Sequence, residues 1–101
     1  MPKPRKTIFA PPYVEIIKQL QAQRRALGIT QAELGEAYGE DQSFISRVER
    51  CQRRLDIHEY ARICGLLGLD PGTLLRPISE EASQSQLAKK GDSPYDRRRR
   101  E

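Results

Sequence analysis

The sequence predicts an all-α fold: five short helices forming one small domain, flanked by two polar arms. Three observations predict it. Apolar residues recur at three- and four-residue spacings, which marks one face of a helix, and no stretch of useful length alternates as a strand does. Helix-start signals stand ahead of these stripes: Thr30 with Glu33, Asp41, Asp56 with Glu59, and Asp70-Pro71. Gly28, Gly39 and Gly68 stand where stripes end.

The elements follow in order. Residues 1–12 hold four prolines and the basic Lys3, Arg5 and Lys6, and read as an extended, flexible arm. The first helix is expected from about Tyr13 to Leu27, with Val14, Ile17, Leu20, Arg24 and Leu27 on one side. Gly28 ends it, and Ile29 is expected to pack beneath the next helix. That second helix begins after Thr30, because Thr30 and Glu33 form a T-x-x-E capping box in which each side chain satisfies a backbone N–H of the first turn. Its apolar residues are Ala32, Leu34, Ala37 and Tyr38, and Gly39 stops it. Gly35 leaves little bulk where this helix must approach the next.

Asp41 caps the third helix, about residues 41–50, whose buried stripe is Ile45 and Val48. Gln42, Ser43, Ser46, Arg47 and Arg50 fall away from that stripe and form a hydrogen-bonding face. Asp56 caps the fourth helix, with Ile57, Tyr60, Ala61, Cys64 and Leu67 as its apolar face and Gly68 after it. Asp70-Pro71 opens a short fifth helix ending near Leu75, since proline is tolerated at the first helical position. Residues 76–101 are rich in Ser, Gln, Lys and Arg with few apolar groups, and read as a disordered polar and basic tail. The domain is therefore expected to span 13–75.

At 101 residues and 37% hydrophobic content, without Trp, the chain holds at most one small domain. A core of about 60 residues is only marginally stable alone, so dimerisation would help it. No apolar run approaches the roughly 18 residues that a membrane span needs. The basic amino terminus is not followed by the long apolar segment of a secretory signal. Cys51 and Cys64 lack metal-ligand spacing and read as free thiols in a cytoplasmic protein. No metal or cofactor is expected. Catalysis is not expected either: there is one His, no Cys/His pairing at useful spacing, and no glycine-rich phosphate loop.

The net charge of +4 is unevenly placed. Residues 1–12 carry +3, residues 13–75 carry −1 and residues 76–101 carry +2. Bulk basicity thus lies in the arms, but Arg47, Arg50, Arg53 and Arg54 cluster within the domain. Such a local patch suffices for phosphate contact, because affinity depends on charge at the interface.

Residues 30–50, TQAELGEAYGEDQSFISRVER, resemble the Cro/lambda-repressor-type helix-turn-helix family, also called the XRE family. Counting from Gln31, that family has a small residue fifth, a glycine ninth and a branched apolar residue fifteenth. Gly35, Gly39 and Ile45 stand there. The similarity continues through ISRVERCQRRLDIHEYARICGLLGLDPGTLL and covers roughly residues 13–75. It implies a compact five-helix lambda-repressor-like domain that lays its third helix in the major groove of double-stranded DNA.

The resemblance also implies roles. Gln42, Ser43 and Arg47, with Ser46 as a contact or as a small residue for close approach, are the base readers; Gln suits adenine and Arg guanine. A plain solvated polar face is the rival reading. Phe44 either meets a thymine methyl or packs at the helix edge, with packing favoured. Gln31 would bond a phosphate and brace the first base-reading side chain. Arg50, Arg53 and Arg54 would bind phosphates. Arg24 and Glu49 fall where similar proteins form a structural ion pair. One residue departs from the family: Cys51 stands where glycine usually follows the third helix, so either the helix end is reshaped or a left-handed cap is strained by about 1–2 kcal/mol. Nearby arginines open a redox role for Cys51 through a lowered thiol pKa. His58 reads as a surface residue.

The function so implied is a small sequence-specific transcriptional regulator, with repression the expected mode, acting as a homodimer through the fifth helix, Leu74, Leu75 and the tail. A bacterial or phage-type protein of the nucleoid fits it. The alternative is an antitoxin-like protein that uses the same domain mainly to bind a protein partner. Lys3, Arg5, Lys6 and Arg97 to Arg100 would add non-specific electrostatic affinity.

Overall fold

A computed structural model describes residues 10–84. Five helices follow one another: α1 (Pro11–Ala26), α2 (Gln31–Tyr38), α3 (Gln42–Glu49), α4 (Ile57–Leu67) and α5 (Pro71–Ala82). No strand occurs among the described residues. The expectations for Lys3, Arg5, Lys6 and Arg97 to Arg100 lie outside them.

The starts of α2 to α5 are set by short polar side chains, as anticipated. Thr30 Oγ1 accepts from the Glu33 amide at 3.0 Å while Glu33 Oε1 accepts from the Thr30 amide at 2.9 Å. Asp56 and Glu59 repeat this box at 2.7 and 2.9 Å. Asp41 and Asp70 cap α3 and α5 by accepting from Phe44 and Thr73. Each such cap supplies partners to first-turn amides that the helix itself leaves unpaired.

The core joins all of α1 to α4. Ile16, Ile17, Leu20, Leu34, Tyr38, Phe44, Ile45, Val48, Cys51, Tyr60, Ile63, Cys64 and Leu67 form one buried cluster, with Ile29 and Leu74 packed against it. The tightest helix pair is α2 with α3, while α4 lies against α1 and α2, and α5 against α1 and α4. Tyr38 and Phe44 stack with ring centroids 5.1 Å apart, so Phe44 is a packing residue.

Several expectations need correction. Helix α1 begins at Pro11, taking in two residues assigned to the arm; Pro11 and Pro12 occupy first-turn positions whose amides have no helical partner anyway. Leu27 is half exposed because it stands beyond the last helical turn, and Ile16 takes the core place. In α4 the buried stripe is Tyr60, Ile63, Cys64 and Leu67, whereas Ile57 is 84% exposed and Ala61 faces solvent. Ala32 and Ala37 are exposed as well.

Helix α5 does not stop near Leu75 but runs to Ala82, so residues 76–82 are helical rather than disordered. Pro77 lies within it. Proline removes one helical N–H, yet the capped start, and the i, i+3 pair of Leu75 and Ile78, carry the turn onward.

Candidate nucleic-acid interface

The turn between α2 and α3 is built from backbone constraints. Gly39 adopts the left-handed conformation, φ 101°, and its amide and that of Glu40 donate to the Gly35 carbonyl at 2.9 and 2.8 Å. Gly35 is required for a different reason: a Cβ there would lie 2.8 Å from the Asp41 carbonyl oxygen. The two helices can therefore meet closely at a fixed angle. Asp41 then turns the chain into α3, its carboxylate accepting from Ser43 Oγ at 2.8 Å and from the Phe44 amide at 3.1 Å. These bonds, from Ser43 first and Phe44 second, hold the Asp41 carboxyl below its ordinary pKa.

Helix α3 is sharply two-faced. Phe44, Ile45 and Val48 are buried, while Gln42, Ser43 and Arg47 are exposed and Ser46 is half-buried. Arg47 Nη1 lies 3.3 Å from Ser43 Oγ, a long donation that leaves the guanidinium projecting from the face.

Behind this face is a polar network. Arg24, 7% exposed, donates from Nε to Glu49 Oε2 at 2.6 Å, from Nη2 to Glu49 Oε1 at 3.0 Å, and from Nη1 to the Ile29 carbonyl at 2.7 Å. Gln21 and Gln31 also donate to Glu49 Oε1, at 3.1 and 2.8 Å. Gln31 Oε1 in turn accepts from Gln42 Nε2 at 3.2 Å. Burial pushes the Glu49 carboxyl upward, but the bonds from Arg24 and Gln31, together with the Arg24 charge, outweigh burial and hold its pKa below the ordinary value. Charge is thus retained at Glu49, and among the described residues no buried side-chain polar atom lacks a partner.

The arginines after α3 differ from one another. Arg50 is exposed at the helix end. Arg53 is held in a bidentate pair with Glu59, 2.9 Å on both bonds, and lies over the Phe44 ring at 4.8 Å. Arg54 lies 5.4 Å over the Tyr13 ring. Arg62, which the sequence reading did not single out, donates to the Tyr38 carbonyl at 2.9 Å and lies 4.1 Å over its ring, satisfying the carboxyl end of α2. No periodicity distinguishes Arg62 from any exposed arginine, which is why sequence reasoning passed over it.

Cys51 resolves the open question at the end of α3. The Cys51 and Gln52 amides donate to the carbonyls of Val48 and Arg47 at 3.0 and 2.8 Å, a Schellman arrangement, with Cys51 at φ 59°. The usual glycine geometry is retained and the non-glycine residue bears the strain. Burial raises the thiol pKa, opposite to what a redox-reactive thiolate needs. Among the described residues no cluster of His, Cys, Asp and Glu is disposed to hold a metal.

A helix-turn-helix family profile matches residues 20–74. The chain belongs to the XRE-family helix-turn-helix proteins. An XRE-family like protein from Pseudomonas syringae pv. tomato str. DC3000 is similar in structure, with a TM-score of 0.65 and 40% sequence identity; the match covers 79% of this chain and 95% of that one. No curated protein gives a match. The family fold is that of DNA-binding transcription regulators. No helix among the described residues is long and apolar enough to cross a membrane.

Proposed function

We propose that the protein reads double-stranded DNA in a sequence-specific way, as a small transcriptional regulator acting by repression, with α3 in the major groove. The observation that carries this reading is the Gln31–Gln42 hydrogen bond at the exposed amino-terminal end of α3, backed by a buried ion pair. It offers a polar helix face whose leading side chain is already oriented, and an oriented amide loses less freedom on meeting a base edge. In this reading Gln42, Ser43, Ser46 and Arg47 contact bases. Gln31, Arg50, Arg53 and Arg54 contact phosphates, Arg53 through the N–H donors that its pair with Glu59 leaves free.

A homodimer would set two such helices about 34 Å apart on an inverted repeat. Support for it is apolar surface: Leu75 and Ile78 on α5 are exposed beside Ile57, along a cleft of about 490 Å³ that also includes Tyr13 and Leu55. The same cleft favours a second reading, an antitoxin-like protein whose main task is to hold a protein partner there.

The test is selection of bound duplexes from a random-sequence pool, followed by anisotropy across a salt series for the wild type and Gln42→Ala/Arg47→Ala. A palindromic site selected by the wild type and lost in the double variant supports the regulator. Salt-sensitive binding with no enriched site, unchanged in the variant, refutes sequence reading and leaves the partner-binding alternative.

A further inference from the structure

We propose that Glu49 is a specificity-positioning residue: by fixing the direction of the Gln31 amide it makes Gln42 present an adenine-reading edge. The inference rests on the proposed role of Gln42 as a base reader and adds the reason for its choice of base.

The argument is one of donors and acceptors. A carboxylate only accepts hydrogen bonds, so the Gln31 group facing Glu49 Oε1 at 2.8 Å has to be the NH2 of its amide. That orientation is chemical necessity rather than one of two equivalent amide placements. With its nitrogen turned inward, Gln31 offers only its carbonyl oxygen to Gln42, which must answer with Nε2, at 3.2 Å. One Gln42 N–H is thereby used. What remains for DNA is one N–H donor and the carbonyl acceptor. This pair matches adenine, which shows an acceptor at N7 and a donor at N6 in the major groove, and mismatches guanine, which shows two acceptors there.

Reversing the chain of amides reverses the code. If Gln31 turned over, its NH2 would donate to the Gln42 carbonyl, and Gln42 would present two N–H donors to the groove, the edge suited to guanine. Glu49 blocks this reversal because the turned Gln31 would aim a carbonyl oxygen at a carboxylate. The restraint is firm because Glu49 is itself held: Arg24 grips both its oxygens, at 2.6 and 3.0 Å, and Gln21 donates at 3.1 Å. A pair assigned from sequence to folding alone therefore also reaches the DNA-facing side chain, through one intervening residue.

The experiment measures relative affinities of the full chain for four duplexes that differ only at the base pair whose preference Gln42→Ala abolishes. Glu49→Gln keeps the shape but presents an amide, which accepts either orientation of Gln31. Its adenine-over-guanine preference at that pair is expected to fall by about tenfold, the size of one bidentate discrimination, while preference at the pair lost in Arg47→Ala is kept. Gln31→Met is the second variant, since it leaves the Arg24–Glu49 pair intact and frees Gln42 directly; the same local loss is expected. Circular dichroism establishes that each variant is folded at the binding temperature. Retention of the full adenine preference by folded Glu49→Gln, or by Gln31→Met should Glu49→Gln not fold, overturns the proposal. A Gln42→Ala protein with unaltered preference at every pair would instead refute the base-reading role on which it rests.

Discussion

Removing one partner of the Arg24–Glu49 pair is the sharpest perturbation available to the fold. Both side chains are nearly inaccessible, 8% and 6% exposed, and Arg24 additionally satisfies the Ile29 carbonyl at the end of the α1–α2 link. Arg24→Met leaves a largely buried carboxylate with only the Gln21 and Gln31 amides, and leaves the Ile29 carbonyl without its donor. Breaking a buried pair from one side costs about 3–5 kcal/mol, because a charge remains desolvated and uncompensated. A domain of this size holds roughly 4–11 kcal/mol in total, so the loss is a large part of its stability. At about 4–8 °C per kcal/mol, Tm should fall by at least about 12 °C. Glu49→Leu should do the same from the other side. The double variant Arg24→Met/Glu49→Leu removes both charges and should recover at least about 2 kcal/mol relative to the sum of the singles. Urea unfolding followed by circular dichroism gives the three free energies. If each single variant costs under about 1 kcal/mol and the two simply add, the pair is not a coupled buried unit and the reasoning fails.

Acid should act on the same pair. The folded Glu49 pKa lies below its unfolded value, so its contribution is full above the ordinary carboxylate range near pH 4.3 and is lost as pH falls through the folded pKa. The wild type should therefore lose stability more steeply below about pH 4 than Arg24→Met/Glu49→Leu, which lacks the Glu49 contribution and keeps those of Asp41, Glu59 and Asp70; equal slopes in acid unfolding curves would count against it. Gly35→Ala should destabilise by about 1–3 kcal/mol, since its Cβ would press on the Asp41 backbone rather than on a yielding side chain, and a Tm within 2 °C of wild type would contradict that geometry, at about 4–8 °C per kcal/mol. Cys51→Gly relieves a left-handed strain of about 1–2 kcal/mol but loses a buried thiol and gains unfolded-state freedom, so it should be near neutral, whereas Cys51→Ala keeps the strain and should be the less stable of the two by calorimetry. Cys51 and Cys64 should both react slowly with a disulfide reagent in the folded protein and rapidly in denaturant, because burial both hides them and raises their thiol pKa.

Much of this protein is determined by local chemistry that a sequence displays directly. The capping boxes at Thr30 and Asp56, the aspartate caps at 41 and 70, and the glycine stops at 28, 39 and 68 act within a few residues of themselves, so reading them needs no tertiary contact. Ile45 and Val48 allow one inward face for α3, and that in turn places Gln42, Ser43 and Arg47 outside. Where two faces were possible, local rules could not choose. In α4, Tyr60, Cys64 and Leu67 belong equally to a stripe with Ile57 and Ala61 and to one with Ile63; packing against α1 and α2 selected the second and left Ile57 in solvent. The length of α5 was equally ambiguous, because Pro77 argues for a stop while the capped start and apolar spacing argue for continuation. The arginine cluster shows the same division. Its presence near α3 is plain from the sequence, but only the tertiary structure brings Glu59 to Arg53 and Tyr13 to Arg54, because those partners come from other helices. The amide relay from Glu49 to Gln42 through Gln31 belongs with them: residues from α2 and α3 acquire a shared hydrogen-bond direction only when the fold sets them side by side.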